Sequence, residues 1–203
     1  MKLVMVTFCL AAVFLVFSPP VYAAEQGPTG QLQPIIDGVI AILTDDTLKG
    51  EAHKIERRKK IMEIVSTGFD FREMSRRVLG STWNTISAED KDKFTAQMTK
   101  LLENVYVGKL ESYSGEKVEF VAERIKGKRA QVTTIIEHEG AKLPVHYIMQ
   151  QERETWMVYD INIEGVSLIK NYMEQFSSIL RTEQYEGLVK IIEEKNKTFA
   201  EGK

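Results

Sequence analysis

From Phe94 the apolar residues Met98, Leu101, Leu102, Val105 and Tyr106 recur every three or four positions, and beyond Lys117 the spacing drops to two. The first period is that of a helix with one broad buried stripe, reaching as far as Leu110. Ser87-Ala88-Glu89-Asp90 opens that helix with a capping residue and acidic groups suited to the helix dipole. The second period predicts strands over 117–125, 129–138, 143–151 and 155–163. Three-residue turns, Lys126-Gly127-Lys128, Glu139-Gly140-Ala141 and Glu152-Arg153-Glu154, join them into an antiparallel meander.

Helical spacing appears on both sides of this block. Pro34 is expected to start a helix carrying Ile35, Ile36, Val39, Ile40 and Leu43. A second helix is expected over 51–65. Asp70-Phe71-Arg72-Glu73 has the spacing of a capping box, with Gly80 as the stop. After the strands, Glu164-Gly165 turns the chain into a helix over 166–180. A last helix over 183–195 turns Tyr185, Leu188, Val189, Ile191 and Ile192 inward. Helices and strands are segregated along the chain, which argues for an α+β fold with helices packed on a four-stranded antiparallel meander sheet.

The N-terminus alters the picture of where the protein works. Lys2, the apolar run 3–17 closed by Pro19-Pro20, and Val21-Tyr22-Ala23 have the form of a secretory signal cleaved after Ala23. The run is about 15 residues, short of the ~20 that a membrane-spanning helix needs. Residues 24–33 are expected to be a flexible leader, and 34–203 a single domain. Cys9 is the only cysteine, so the mature chain is expected to be exported without disulfides and held together by its core. About 180 residues suffice for that, burying roughly 70% of the unfolded surface. Losing Lys2 leaves 26 basic against 29 acidic residues, a balance with no nucleic-acid footprint.

Reactive chemistry is sparse. No nucleophile elbow, Walker loop or dinucleotide glycine pattern is present. His138 and His146 fall on neighbouring strands but lack a third ligand at a metal-site spacing, and His53 lies in a basic helix, so no metal site is expected. Asp160 with Tyr147 or Tyr159 could run acid–base chemistry in an apolar setting, although the plainer role for such a carboxylate is pairing with a nearby base. The run 54–60 with Arg76-Arg77 forms a basic surface on an acidic chain. Most such runs are solvated helix faces; as a docking patch for an acidic partner or an anionic membrane, Arg57, Arg58, Arg76 and Arg77 would carry it. Leu102, Val105, Tyr106, Leu110 and Tyr113 on one helix, with Tyr172 and Phe176 on another, supply more large apolar groups than a thin α+β core requires. That excess allows a cavity.

Several motifs in order then carry a family resemblance. They are Phe69-Asp-Phe-Arg-Glu-Met-Ser-Arg-Arg-Val-Leu-Gly80, Trp83 with 87–94, 102–106 through 113–115, Val158-Tyr-Asp160, Glu164-Gly-Val-Ser-Leu168, Asn171-Tyr172 and Gln175-Phe176. Together they resemble the MlaC family, or toluene-tolerance auxiliary proteins, over about residues 35–195. The resemblance implies an NTF2-like or cystatin-like sheet enclosing an apolar pocket. It implies a periplasmic, phospholipid-binding component of an ABC lipid-transport system with no other cofactor. Its partners would be an inner-membrane complex of the MCE type and an outer-membrane lipoprotein complex, and its role the upkeep of outer-membrane lipid asymmetry. Some relatives are associated with hopanoids, which keeps another lipid open as cargo. The carrier is expected to be a monomer, and two further readings stand beside it: an NTF2-like acid–base enzyme, and an interaction module that docks through the basic helix and carries nothing.

Lining residues expected for the pocket are Leu102, Tyr106, Leu110, Tyr147, Trp156, Val158, Val166, Tyr172 and Phe176. Strand alternation leaves open whether Trp156 and Val158 or Met157 and Tyr159 face it. Physics favours a container here. Two acyl chains hold roughly 30 methylenes, and at ~0.8 kcal/mol each their exposure to water costs on the order of 20 kcal/mol. A carrier needs greasy surface and no reactive group.

Overall fold

The computed structural model describes residues 27–111, 113, 115–138 and 140–201. The expected signal and residues 24–26 of the expected leader lie outside them. Seven helices are described: α1 (Pro28–Thr44), α2 (Lys54–Val65), α3 (Phe71–Leu79), α4 (Ala88–Leu102), α5 (Gly108–Leu110), α6 (Leu168–Thr182) and α7 (Gln184–Ala200). Five strands, β1 (Lys117–Lys126), β2 (Arg129–His138), β3 (Ala141–Glu152), β4 (Thr155–Ile163) and β5 (Val166–Ser167), form one antiparallel sheet in sequence order. The α+β class holds. The sheet gains a short fifth strand where helix was expected, because Glu164 and Gly165, both at positive φ (52° and 85°), close a hairpin onto β4. The first and third meander turns tighten to two residues, 127–128 and 153–154.

The first helix departs most from expectation. It begins at Pro28 rather than Pro34, so most of the expected leader is structured. Its free N-terminal amides are met by the sheet: the Thr29 N–H donates to the Glu123 carboxylate at 2.7 Å, across 94 positions of sequence. One turn on, Gln31 accepts from the Trp156 N–H at 2.8 Å, and Leu32 is fully buried. Pro34 sits inside the helix, exposed, and deprives it of one backbone hydrogen bond.

α1, α3 and α6 lie against the sheet, and α4 and α7 pack on α3 and α6 as an outer layer. The connector before α3 runs beside β4: the Val158 N–H donates to Gly68 O and the Asp70 N–H to Val158 O, each at 2.8 Å. A Cβ at Gly68 would lie 2.0 Å from Ile35 Cδ1, so any larger residue there has to displace the tip of that side chain. Asp70 then caps α3 through the Glu73 N–H, 2.8 Å. The reciprocal half of the expected capping box is absent. The Asp70 N–H is spent on β4, and the Glu73 side chain turns to Arg76 and Arg77.

One contiguous core joins the layers, centred on Phe94, Met98, Met149, Val158, Leu188 and Ile192, all at most 1% exposed. A smaller cluster, Val39, Ile61 and Val107, ties α1 and α2 to the end of the α4 stripe.

Candidate functional site

The sheet turns one face to the helices, and its burial fades along the strands. Across β2 and β3 the pairs Ala130–Met149 (4% and 1% exposed), Val132–Tyr147 (0% and 7%) and Thr134–Val145 (0% and 4%) are buried. The next pair, Ile136–Leu143, is equally apolar but only half-buried. Val118 and Phe120 on β1 and Ile161 and Ile163 on β4 share this face and are half-buried too. The six form a strip of aliphatic and aromatic surface on the helix-facing side that is only partly covered, and we call it the trough floor. Val166, 61% exposed, pairs with Ile163 and stands at its rim.

The helical stripe ends against the same core. After α4 the chain makes a π-helical turn, Glu103–Val107, before α5. Such a turn accommodates an extra residue and rotates the positions beyond it about the helix axis. Val107 is thereby aimed at Val39 and Ile61, while Val105 and Tyr106 pack on the main core. A buried amide pair supports the turn: Asn104 Nδ2 donates to Asn196 Oδ1 at 3.1 Å, and Asn196 Nδ2 to Gln97 O at 3.0 Å. Asn196 is buried by this pairing. The Tyr106 hydroxyl meets that of Tyr172 on α6, and burial pushes both phenols above their ordinary pKa. From Tyr172 a line of rings runs through Phe176 (5.5 Å) and the fully buried Phe94 (6.4 Å) to the half-buried Tyr185 (6.3 Å).

The residues expected to line a pocket divide into three sets. Leu102, Tyr147, Trp156, Val158, Tyr172 and Phe176 join the buried core, Tyr106 is half-buried, and Leu110 and Val166 are exposed. Trp156 and Val158 do share the helix-facing side with Met149, but Trp156 sits under α1, at the closed end. Sequence reading missed Ile136, Leu143, Ile161 and Ile163. Their alternation was visible, but nothing local distinguishes a strand's covered end from its open one.

The charged candidates are placed differently. Arg57 is buried, donating to Leu48 O (2.7 Å), Gly50 O (3.1 Å) and Glu111 (2.8 Å), so it is an internal clamp rather than a docking residue. Arg58 binds the same carboxylate at 2.7 Å. Arg76 and Arg77 remain at the surface, beside a cleft between α3 and α6. Asp160 and Tyr147 are not brought together: a bulge at Tyr159 leaves Asp160 on the opposite face of the sheet. The Asp160 carboxylate accepts from Ser167 Oγ (2.6 Å) and the Ile169 N–H (3.0 Å), so it anchors the start of α6. His146 is engaged by Thr133 and Gln131, with Asn162 opposite on β4, and His138 pairs across with Ala141, so the two histidines are not cross-strand partners. Among the described residues no group of three His, Cys, Asp or Glu could hold a metal, and no helix is long and apolar enough to cross a membrane.

Residues 33–194 match the MlaC protein family. The chain belongs to the MlaC family. The intermembrane phospholipid transport system binding protein MlaC of Haemophilus influenzae is 27% identical over 119 residues, which span 56% of either chain. The phospholipid-binding protein of Ralstonia solanacearum, solved in complex with a phospholipid, superposes on this MlaC-family fold with a TM-score of 0.76 at 22% identity. The match covers 84% of this chain and 97% of that one. The half-open trough and the core behind it therefore lie in a fold that this relative also has.

Proposed function

We propose that this MlaC-family protein is a periplasmic carrier that holds a phospholipid by its acyl chains and moves it between membranes. The observation that carries the reading is the run of half-buried apolar residues continuing the core face past the fully buried pairs. Left to water, that surface loses about 25 cal/mol for every Å² it fails to bury, so a hydrocarbon chain laid along it recovers what the helices do not. Of the two relatives, one is a phospholipid transport binding protein and the other was solved with a phospholipid bound, and both support the same cargo. The carrier shuttles between an outer-membrane lipoprotein complex and an inner-membrane transporter of the MCE type, which would make it part of outer-membrane lipid asymmetry. Residues 1–23 deliver it as a cleaved signal, and the remainder works as one monomeric domain with no cofactor beyond its cargo.

Tyr106, Tyr172 and Leu110 form the helical wall, Val118, Phe120, Ile136, Leu143, Ile161 and Ile163 the floor, and Val166 the rim. Phe176, Leu102, Tyr147 and Val158 back that wall from the core. Organic extraction of purified mature protein, followed by mass spectrometry, tests the reading. Near-stoichiometric phospholipid is expected. Protein that carries none from its host and takes none from vesicles sinks the proposal, and a hopanoid in its place changes the cargo.

A further inference from the structure

A cleft of about 620 Å³ opens between α3 and α6, lined by Arg76, Arg77, Tyr159, Asp160, Lys170 and Met173 among others. It lies by the outward side of α6, whereas Tyr172 and Phe176 on the inward side pack into the core. Two of its cations are held in fixed poses. The Glu73 carboxylate, 11% exposed, accepts Arg76 Nε and Nη2 at 2.5 and 2.6 Å and Arg77 Nε at 2.8 Å. Arg77 also lies flat on the bulged Tyr159, its guanidinium carbon 3.8 Å from the ring centroid. Both guanidinium groups are thus gripped along their Nε edge. No hydrogen bond among the described residues uses either Nη of Arg77 or Nη1 of Arg76. Lys170, 70% exposed and 3.8 Å from Glu174 along the same helix, adds a third cation, and the Asp160 carboxylate is held back by the Ser167 hydroxyl and the Ile169 N–H. Met173 (40% exposed) and Ile169 supply an apolar side to the same cleft.

We propose that this cleft binds the phosphate of a phospholipid headgroup presented from outside the trough. The inference rests on the carrier reading above. Two guanidinium groups on one carboxylate present several donors in fixed planes, the arrangement that suits a tetrahedral oxyanion with several acceptor oxygens. The apolar side fits an amphiphile and would be wasted on a bare ion. The concave shape fits one headgroup rather than a flat surface. A site of this kind would hold the carrier at the membrane surface beside those complexes while the trough exchanges its cargo with them.

The test uses the mature protein and dihexanoylphosphatidylglycerol kept below its micelle threshold, read from the arginine Nε–H resonances. Titration is expected to move the Arg76 and Arg77 signals. Arg77→Gln should weaken binding by about tenfold or more, as loss of a charge-assisted hydrogen bond implies. Lys170→Gln, at an exposed position that the fold does not need, should weaken it in the same direction. Ile136→Asp, which spoils the trough, should leave the arginine shifts in place, so failure of the cleft and failure of the trough are told apart. Unmoved arginine signals overturn the proposal. Inorganic phosphate binding equally well overturns the amphiphile in favour of a free-phosphate site. Acetate competing as strongly overturns it in favour of an acidic protein partner.

Discussion

Asp160 shows how a side chain's role is set by its partners rather than its type. A carboxylate near two tyrosines suggests acid–base chemistry, but here it accepts from Ser167 and from the Ile169 N–H at the positive end of α6. Asp160→Asn leaves one acceptor oxygen for two donors and removes the charge, costing roughly 1–3 kcal/mol. Urea denaturation would measure that, with lipid content unchanged. Glu111 is the other decisive residue. Burial acts to raise its carboxyl, but hydrogen bonds from Arg58 and Arg57 outweigh it and hold the group below its ordinary 4.5. The unfolded chain then takes up the proton more readily. The stabilisation is complete above about pH 4.5 and is lost as pH falls through the lower folded value. Acid titration of the urea midpoint should show that loss. Glu111→Gln should flatten part of it and cost roughly 1–3 kcal/mol at neutral pH by stranding the buried Arg57. Glu73, lowered by Arg76 and Arg77 against its burial, keeps the remainder.

At the scale of elements, boundaries were legible where the cap is local and hidden where it is distant. Ser87 and Asp70 cap α4 and α3 from their own neighbourhood, and both starts were readable. α1 begins on Glu123 and Gln31 contacts with the sheet, so Pro28-Thr29-Gly30 looked like a linker until those strands were in place. Gln31→Ala should leave the Trp156 N–H without its acceptor and cost roughly 1–3 kcal/mol. Faster amide exchange at Trp156 and in the first turn of α1 would report it. The π-helical turn was invisible for a similar reason. Its stripe fits an ordinary helix as far as Tyr106, and only the Asn104–Asn196 pair and Val107 reaching α1 and α2 require the extra residue.

For the whole molecule the consequential feature is a core that is not closed. Ile136→Asp or Leu143→Asp places a charge on the trough floor, outside the fully buried region. Each should abolish co-purifying phospholipid while the circular dichroism spectrum and cooperative unfolding persist. Met149→Asp, deeper along the same strand, should instead prevent folding, since an unpaired charge there has no water. The sequence by itself determined the periods, hence the segregated helices, the antiparallel meander and the supply of apolar groups, because periodicity is a local consequence of backbone geometry. Ordered motifs also carried the family. What only the tertiary structure decided is which apolar residues meet one another and which are left facing a gap. Trp156 and Ile136 are alike in pattern, but one is buried beneath α1 and the other is left half-buried. Coverage depends on where distant segments land, and no local spacing encodes that.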